Sequence, residues 1–256
     1  MIKCVVPISG GKDSQACAKL AVAEFGADSV LGLFCDTKFE HELTYQHVKK
    51  IGQMYGITII TICAGSVEEA VLKYKRFPGG GARHCTDELK ITPSKKFYNQ
   101  FSDYNGGFEV WYGMRSSESS EREKRYSNIL DTDLYDPSIV MSKYPKYLGK
   151  KGVMFRLPIL SWSSDQVFKL LDGEQNPLYN EGFDRVGCFP CLAGGDVWKE
   201  KAFAFDSTGN KHYEIVKRIE KQIKKSVFTS KGGAMRNNEE QIGLFQSGPG
   251  CKFCEI

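Results

Sequence analysis

The sequence predicts an α/β fold, a doubly wound parallel sheet followed by a helical, cysteine-containing C-terminal subdomain. Three observations predict it. β-prone runs alternate with helical ones through the first half, which is the signature of parallel strands joined by crossover helices. A glycine pair, Gly10-Gly11, stands where the first strand gives way to the first helix. Two Cys-x-x-Cys pairs, Cys188/Cys191 and Cys251/Cys254, lie beyond the alternating part.

Taken in order, Ile2–Val6 is the first strand, and Gln15–Phe25 is a helix with Cys17, Leu20, Ala21 and Phe25 on one face and Gly26 as its stop. Ser29–Cys35 reads as a strand, Glu40–Tyr55 as a helix, Ile57–Cys63 as a strand and Val67–Tyr74 as a short helix. Pro93 suits the first turn of a further helix, and Phe108–Tyr112 and Met154–Leu157 are the remaining strands. Ser163 or Ser164 caps the helix that follows. Residues 126–152 read as a loop-like insertion. Lys211–Lys225 is an amphipathic helix whose basic side is a solvated face or a track for a nucleic-acid backbone. The expected division is a nucleotide-binding domain over 1–160 and a helical region over 161–256.

Between strand and helix, Ser9-Gly10-Gly11-Lys12-Asp13-Ser14 has the makings of an anion site. The helix start offers unpaired N–H groups, the glycines allow close approach, and Lys12 with the two serines adds charge and hydroxyls. The spacing is not that of a Walker A loop. Asp36-Thr37 ends the second strand, where a ribose contact, a metal contact or a simple turn are all open. Gly113 lets the chain leave the fourth strand tightly. Arg115 and Arg122 could fork onto phosphates, or Arg122 could pair with Glu118 one turn away.

The chain has 256 residues, 41% hydrophobic and 26% charged, with a formal net charge of +4. That is the balance of an ordinary globular protein, and it permits a polyanionic partner without requiring one. No apolar run is long enough for a membrane span. The first strand begins at the start of the sequence, so no leader is expected, and the protein is read as cytoplasmic. Nine cysteines, an odd number, argue against a disulfide framework. Cys4, Cys17, Cys35 and Cys63 lie in apolar runs and are expected in the core. Cys85, Cys188, Cys191, Cys251 and Cys254 lie in loop-like sequence where packing is a poorer explanation, and the two Cys-x-x-Cys pairs suit a thiolate metal site, with zinc, iron, a redox dithiol or unconnected thiols all open.

Ser-Gly-Gly-Lys-Asp-Ser after an N-terminal strand resembles the pyrophosphate loop of the N-type ATP pyrophosphatases. Arg83-x-Cys85-Thr86-x-x-Leu89-Lys90-Ile91-x-Pro93 and Gly113-x-Arg115-x-x-Glu118-Ser119-x-x-Arg122 are similar to motifs of the phosphoadenylyl-sulfate reductase-like branch. The resemblance implies a Rossmann-like nucleotide-binding fold. It further implies ATP or adenylyl sulfate as ligand, Mg²⁺ on the phosphates, and Arg83 and Lys90 as anion contacts. In iron–sulfur members of the branch, the central motif and a later Gly-Cys-x-x-Cys hold a 4Fe–4S cluster. Cys85, Cys188 and Cys191 match three of its ligands, and Cys251 or Cys254 would be the fourth. A Zn²⁺ site from the two terminal pairs is the alternative.

Thioredoxin-dependent reductases of the branch carry a nucleophilic cysteine within Glu-Cys-Gly-x-His, which this sequence lacks. Adenylation of an acceptor for sulfur transfer therefore ranks first. Nucleic acid is one acceptor class, a separate protein one sulfur donor, and Lys12, Arg115, Arg122 and Cys254 the expected catalytic residues. Reduction of an adenylyl sulfate ranks second, and a non-catalytic nucleotide-binding subunit with a structural metal third.

Overall fold

The computed structural model of the protein describes residues 1–79 and 82–229. Its centre is one sheet of five parallel strands: β1 (Cys4–Ile8), β2 (Val30–Asp36), β3 (Thr58–Cys63), β4 (Phe108–Trp111) and β5 (Val153–Arg156), in the order β3-β2-β1-β4-β5. The chain builds outward from β1 to β3, then returns to add β4 and β5 on the other side. The direction reverses between β1 and β4, which is where a doubly wound sheet opens a crevice at its carboxyl end. β1 pairs with β2 along its whole length, from Cys4 opposite Val30 to Ile8 opposite Phe34. It pairs with β4 only through Cys4 and Val5. Pro7 has no N–H to lend a ladder, and beyond Val5 β1 and β4 are unpaired.

The alternation of side chains along β1 feeds two cores. Val5 joins Leu31, Leu33, Val110 and Phe155 on one face, while Cys4, Val6 and Ile8 join Val30 and Phe34 on the other. The second face is covered by α1 (Lys12–Phe25) and α2 (Glu42–Tyr55). Small residues on α1, Ala16, Ala18 and Ala21, are fully buried and let that helix lie close to the sheet. The short α3 (Val67–Tyr74) follows β3 under a Ser66–Glu69 capping box. Helical structure then runs unbroken from α4 (His84–Thr86) through a π-helical stretch, Asp87–Ile91, into α5 (Thr92–Asn105) on the first face.

After β4 come α6 (Ser120–Arg125), α7 (Pro137–Val140) and α8 (Tyr147–Lys150). The stretch expected as a loop-like insertion thus contributes to the core: Tyr126, Val140, Met141, Tyr144 and Leu148 pack on Tyr98 and Phe155. Its apolar residues follow no single period because they are spread over two one-turn helices and the turns around them. After β5, α9 (Ser164–Leu171) starts with Ser163 as its cap and adds Val167 and Leu171 to the face holding α1. Then α10 (Asp196–Phe205) and α11 (Ser207–Ile223) pack with α3 through Val71, Phe203, Val216 and Ile219. Of the expected region 161–256, the described part carries α9, α10 and α11, and the terminal cysteine pair lies outside the described residues. Cys4 and Cys17 are fully buried as expected, but Cys63 is exposed. Its strand is at the sheet's edge, and position in a sheet is not written into a strand's own residues.

A buried polar chain ties α1 to α2. Gln15 donates its amide to the Tyr55 hydroxyl (3.1 Å) and the Glu174 carbonyl (3.0 Å), so its oxygen accepts from His47 Nε2 (2.8 Å). Burial, and then Lys50 nearby, push the His47 pKa down to about 4. Between that value and about 6.5 the unfolded chain holds more protons, so stability is complete above pH 6.5 and declines as pH falls toward 4. At about 1.4 kcal/mol per unit the loss amounts to roughly 2–3 kcal/mol. In His47→Gln this part of the pH dependence is expected to vanish, as read from urea midpoints across that window.

Candidate active site

The glycine loop connects β1 to α1 at the crevice. The helix begins at Lys12, so Lys12, Asp13 and Ser14 form its first turn, with Gly11 as the capping residue. Gly10 has φ +76°, and a Cβ there would meet Thr44 Cγ2 at 2.6 Å. The loop is internally braced: Ser14 Oγ donates to the Gly11 carbonyl (2.9 Å), accepts from Ser9 N (3.1 Å) and lies 3.1 Å from Ser9 Oγ. Gly113 seals the far side. Its Cα lies so close to α1 that a Cβ would stand 2.6 Å from Asp13 C and O.

Two cations converge on Asp13. Lys12 Nζ is 3.2 Å from Asp13 Oδ2, and Arg115 Nε donates to Oδ1 at 2.7 Å. Both basic residues are buried, at 4% and 7% exposure, which marks them as more than surface charges. Burial lowers the Lys12 pKa; Asp13 opposes this and Arg115 adds to it. Arg122 is buried too, and it pairs with Glu118 in the turn just before its own helix, the simpler of its two expected roles. Glu118 also accepts from Arg115 N (3.4 Å), so the pair braces the loop that carries Arg115.

Residues 176–187 close over the glycine loop from outside. Asn176 Nδ2 donates to the Gly10 carbonyl (3.1 Å), and Lys12 N donates to the Tyr179 hydroxyl (3.0 Å). The Val186 carbonyl sits 2.9 Å from where a Gly11 Cβ would be. Arg185 is exposed, and its charge is near enough to contribute to the lowering of Lys12. Sequence reasoning assigns no role to Asn176, Tyr179 or Arg185. Asn176-Pro177-Leu178-Tyr179 leads straight to the first Cys-x-x-Cys, and that adjacency is the one signal the sequence offers.

A second cluster gathers at the end of β2. Asp36 is held by Lys38 N (2.8 Å), Lys38 Nζ (2.6 Å) and Tyr45 Oη (2.8 Å). Thr37 Oγ1 donates to Glu40 (2.7 Å) and lies 3.4 Å from Cys188 Sγ. Cys188 in turn points at Glu40 Oε1 (3.7 Å), and burial pushes its thiol up to about 12, the Lys90 charge opposing. Lys90 is raised above the ordinary lysine value, chiefly by Cys188 and further by Glu40, Cys191 and Cys85. The three thiols and Lys90 therefore share one neighbourhood. Arg83 stands half-buried at the start of the adjoining α4.

Among the described residues no group of three or more His, Cys, Asp or Glu side chains is arranged to hold a metal ion. Cys251 and Cys254, the expected fourth ligand and catalytic thiol, lie outside the described residues. Among those same residues no helix is long and apolar enough to cross a membrane.

A strand, a glycine-rich turn and a helix at the switch point of a parallel sheet, with Gly113 and Arg115 closing from β4, define the PP-loop class of nucleotide-binding folds. Residues 3–193 match the phosphoadenosine phosphosulfate reductase domain, and the chain belongs to that family. An uncharacterised protein of Methanocaldococcus jannaschii is 33% identical over 192 residues, covering 74% of this chain and 36% of that protein. The adenosine 5'-phosphosulfate reductase of Rhodococcus erythropolis is 23% identical over 167 residues, 63% of this chain and 58% of that one. The chain thus spans between about a third and three-fifths of these relatives' length. The crystal structure of phosphoadenylyl-sulfate (PAPS) reductase from Candida auris shares the fold, with a TM-score of 0.50 at 16% identity, over 74% of this chain and 83% of that one.

Proposed function

We propose that the protein is an ATP pyrophosphatase that adenylates an acceptor, with nucleic acid as the acceptor class, to prepare it for sulfur insertion. The observation that carries this is the glycine loop with buried Lys12 and Arg115 clasping Asp13, and with Arg185 near enough for its charge to act on Lys12. Three cations beside the start of a helix suit the β- and γ-phosphates of a nucleoside triphosphate. Attack by an acceptor oxygen on the α-phosphorus would break its bond to the β-phosphate and release pyrophosphate. A sulfur nucleophile from a donor protein would then displace AMP from the adenylated acceptor.

Mg²⁺ usually binds through substrate phosphates and one or two carboxylates; Asp13 in the glycine loop and Asp36 at the end of β2 are the carboxylates that would hold it. When bound it would neutralise charge on the leaving pyrophosphate. Lys12, Arg115 and Arg185 would hold that charge in place, and Tyr179 and Asn176 would fix the loop that receives it. The described thiols do not amount to a complete four-thiolate site, and no step is routed through a cluster.

The test is ATP-dependent pyrophosphate release, with adenylyl sulfates as competing substrates. Release of pyrophosphate and AMP supports adenylation. Turnover of an adenylyl sulfate with ATP untouched would replace it with the reductase reading, which the named Rhodococcus relative favours. Arg185→Gln is expected to raise the KM for ATP roughly tenfold, the size of one charge-assisted contact, while the melting temperature stays put. An unchanged KM would remove Arg185 from the site.

A further inference from the structure

A cleft of about 490 Å³ lies between the start of α5 and the segment leading into α8, lined by Lys95, Lys96, Asn99, Lys143, Tyr144 and Tyr147. The first turn of α5 stands at the same end of the sheet as the glycine loop. Cys35, near the end of β2, fixes it there, 3.5 Å from Ser94 Oγ and 3.8 Å from the Lys90 carbonyl. The charge of this cleft is mainly basic, with Asp87, paired with Lys143, as the acidic group the ion pairs bring to it. From Leu89 to Ser102, and again from Pro137 to Ser164, the sequence has no Asp or Glu. Lys143 and Lys151 find acidic partners from beyond those stretches, in Asp87 and Asp103. Among the described residues Lys96, Lys146 and Lys150 have no ion pair, and Lys95 contacts only the Lys143 carbonyl (3.2 Å).

A net charge of +4 spread over 256 residues does not account for such a concentration. Lys146 and Lys150 are exposed beside the cleft and are not part of its lining; they are four residues apart, about 6 Å along a helix, close to the spacing of successive phosphates on an extended strand. Tyr147, 47% exposed, offers a ring at the rim on which an unpaired base can stack. A small phosphate ligand would use neither the length of this lysine row nor the tyrosine.

We propose that this cleft binds the backbone of a single-stranded polynucleotide and feeds the acceptor toward the glycine loop, an inference that rests on nucleic acid being the acceptor. The probes are short fluorescent oligouridylate and oligothymidylate, titrated by anisotropy across about 50 to 200 mM salt. Wild type is compared with the quadruple variant Lys95→Gln, Lys96→Gln, Lys146→Gln, Lys150→Gln, and with Lys217→Gln, Lys221→Gln on α11. The cleft variant is expected to bind at least tenfold more weakly, with a salt slope shallower by about 0.7 for each phosphate it no longer neutralises. Its melting temperature and its affinity for ATP stay at the wild-type level, which shows that it folds. Equal binding by wild type and the cleft variant, or weakening only in the α11 variant, would overturn the cleft while leaving the acceptor class standing. Binding of neither oligonucleotide by wild type would overturn both. Preference for one sugar tells which polynucleotide the cleft takes.

Discussion

Lys12→Ala is expected to lower pyrophosphate release from ATP by about 10²–10³-fold while leaving the fold intact, the usual effect of deleting one preorganised electrostatic contact. The size follows from burial. The ammonium is 4% exposed, lies 5.5 Å from the centroids of the Phe168 and Tyr179 rings, and is held below its ordinary pKa mainly by desolvation. A cation stripped of water in this way interacts far more strongly with an incoming phosphate than a surface lysine would. Stability should suffer little, because Asp13 keeps its contact with Arg115 at 2.7 Å when the lysine is gone. Rate and melting temperature measured together check this. A rate within threefold of wild type at saturating ATP would rule out the loop as the phosphate site.

The second large effect is expected from a single methyl group. In Gly113→Ala the new Cβ would stand 2.6 Å from both Asp13 C and O and 2.8 Å from Ser14 N. All three are backbone atoms at the helix start, so no side chain can swing aside. Either β4 or the first turn of α1 has to move, at a cost of about 1–3 kcal/mol for overpacking. The displaced turn carries Lys12, and nucleotide binding should fall with stability. Gly187→Ala is the control, since nothing lies within 4 Å of its Cβ position. Urea midpoints and ATP binding for the two variants would separate them; equal behaviour would mean that Gly113 does not set the approach of β4 to the loop.

Much of this site can be read from the sequence because its signals are local. Ser9–Ser14 announces itself by glycines between a strand and a helix, and Asp36-Thr37 and Gly113–Arg115 by following strands that must end on the same side of a parallel sheet. The covering segment is invisible for the opposite reason. Asn176 and Tyr179 reach loop residues 166 and 167 positions away, and nothing in their own neighbourhood encodes that contact. Cys63 departs from expectation because its run is as apolar as that of a central strand, while β3 is at an edge. Arg122 has two roles open to it in the sequence, and the pairing with Glu118 needs only one helical turn to form. The thiol neighbourhood of Cys85, Cys188 and Cys191 is suggested by motif resemblance, but its ties to Lys90, Glu40 and Thr37 depend on the tertiary fold.

The Asp13 carboxylate, clasped by Lys12 and Arg115, makes the resting loop its own counterion. An arriving anion does not meet two bare cations; it has to outcompete a tethered carboxylate for them. A lone orthophosphate gains little from that exchange. A polyphosphate that also engages the helix N–H groups and Arg185 gains several contacts for the one it displaces. On the proposed reading the loop would act as a threshold device, responding weakly to a lone small anion and strongly to a chain of phosphates long enough to span it.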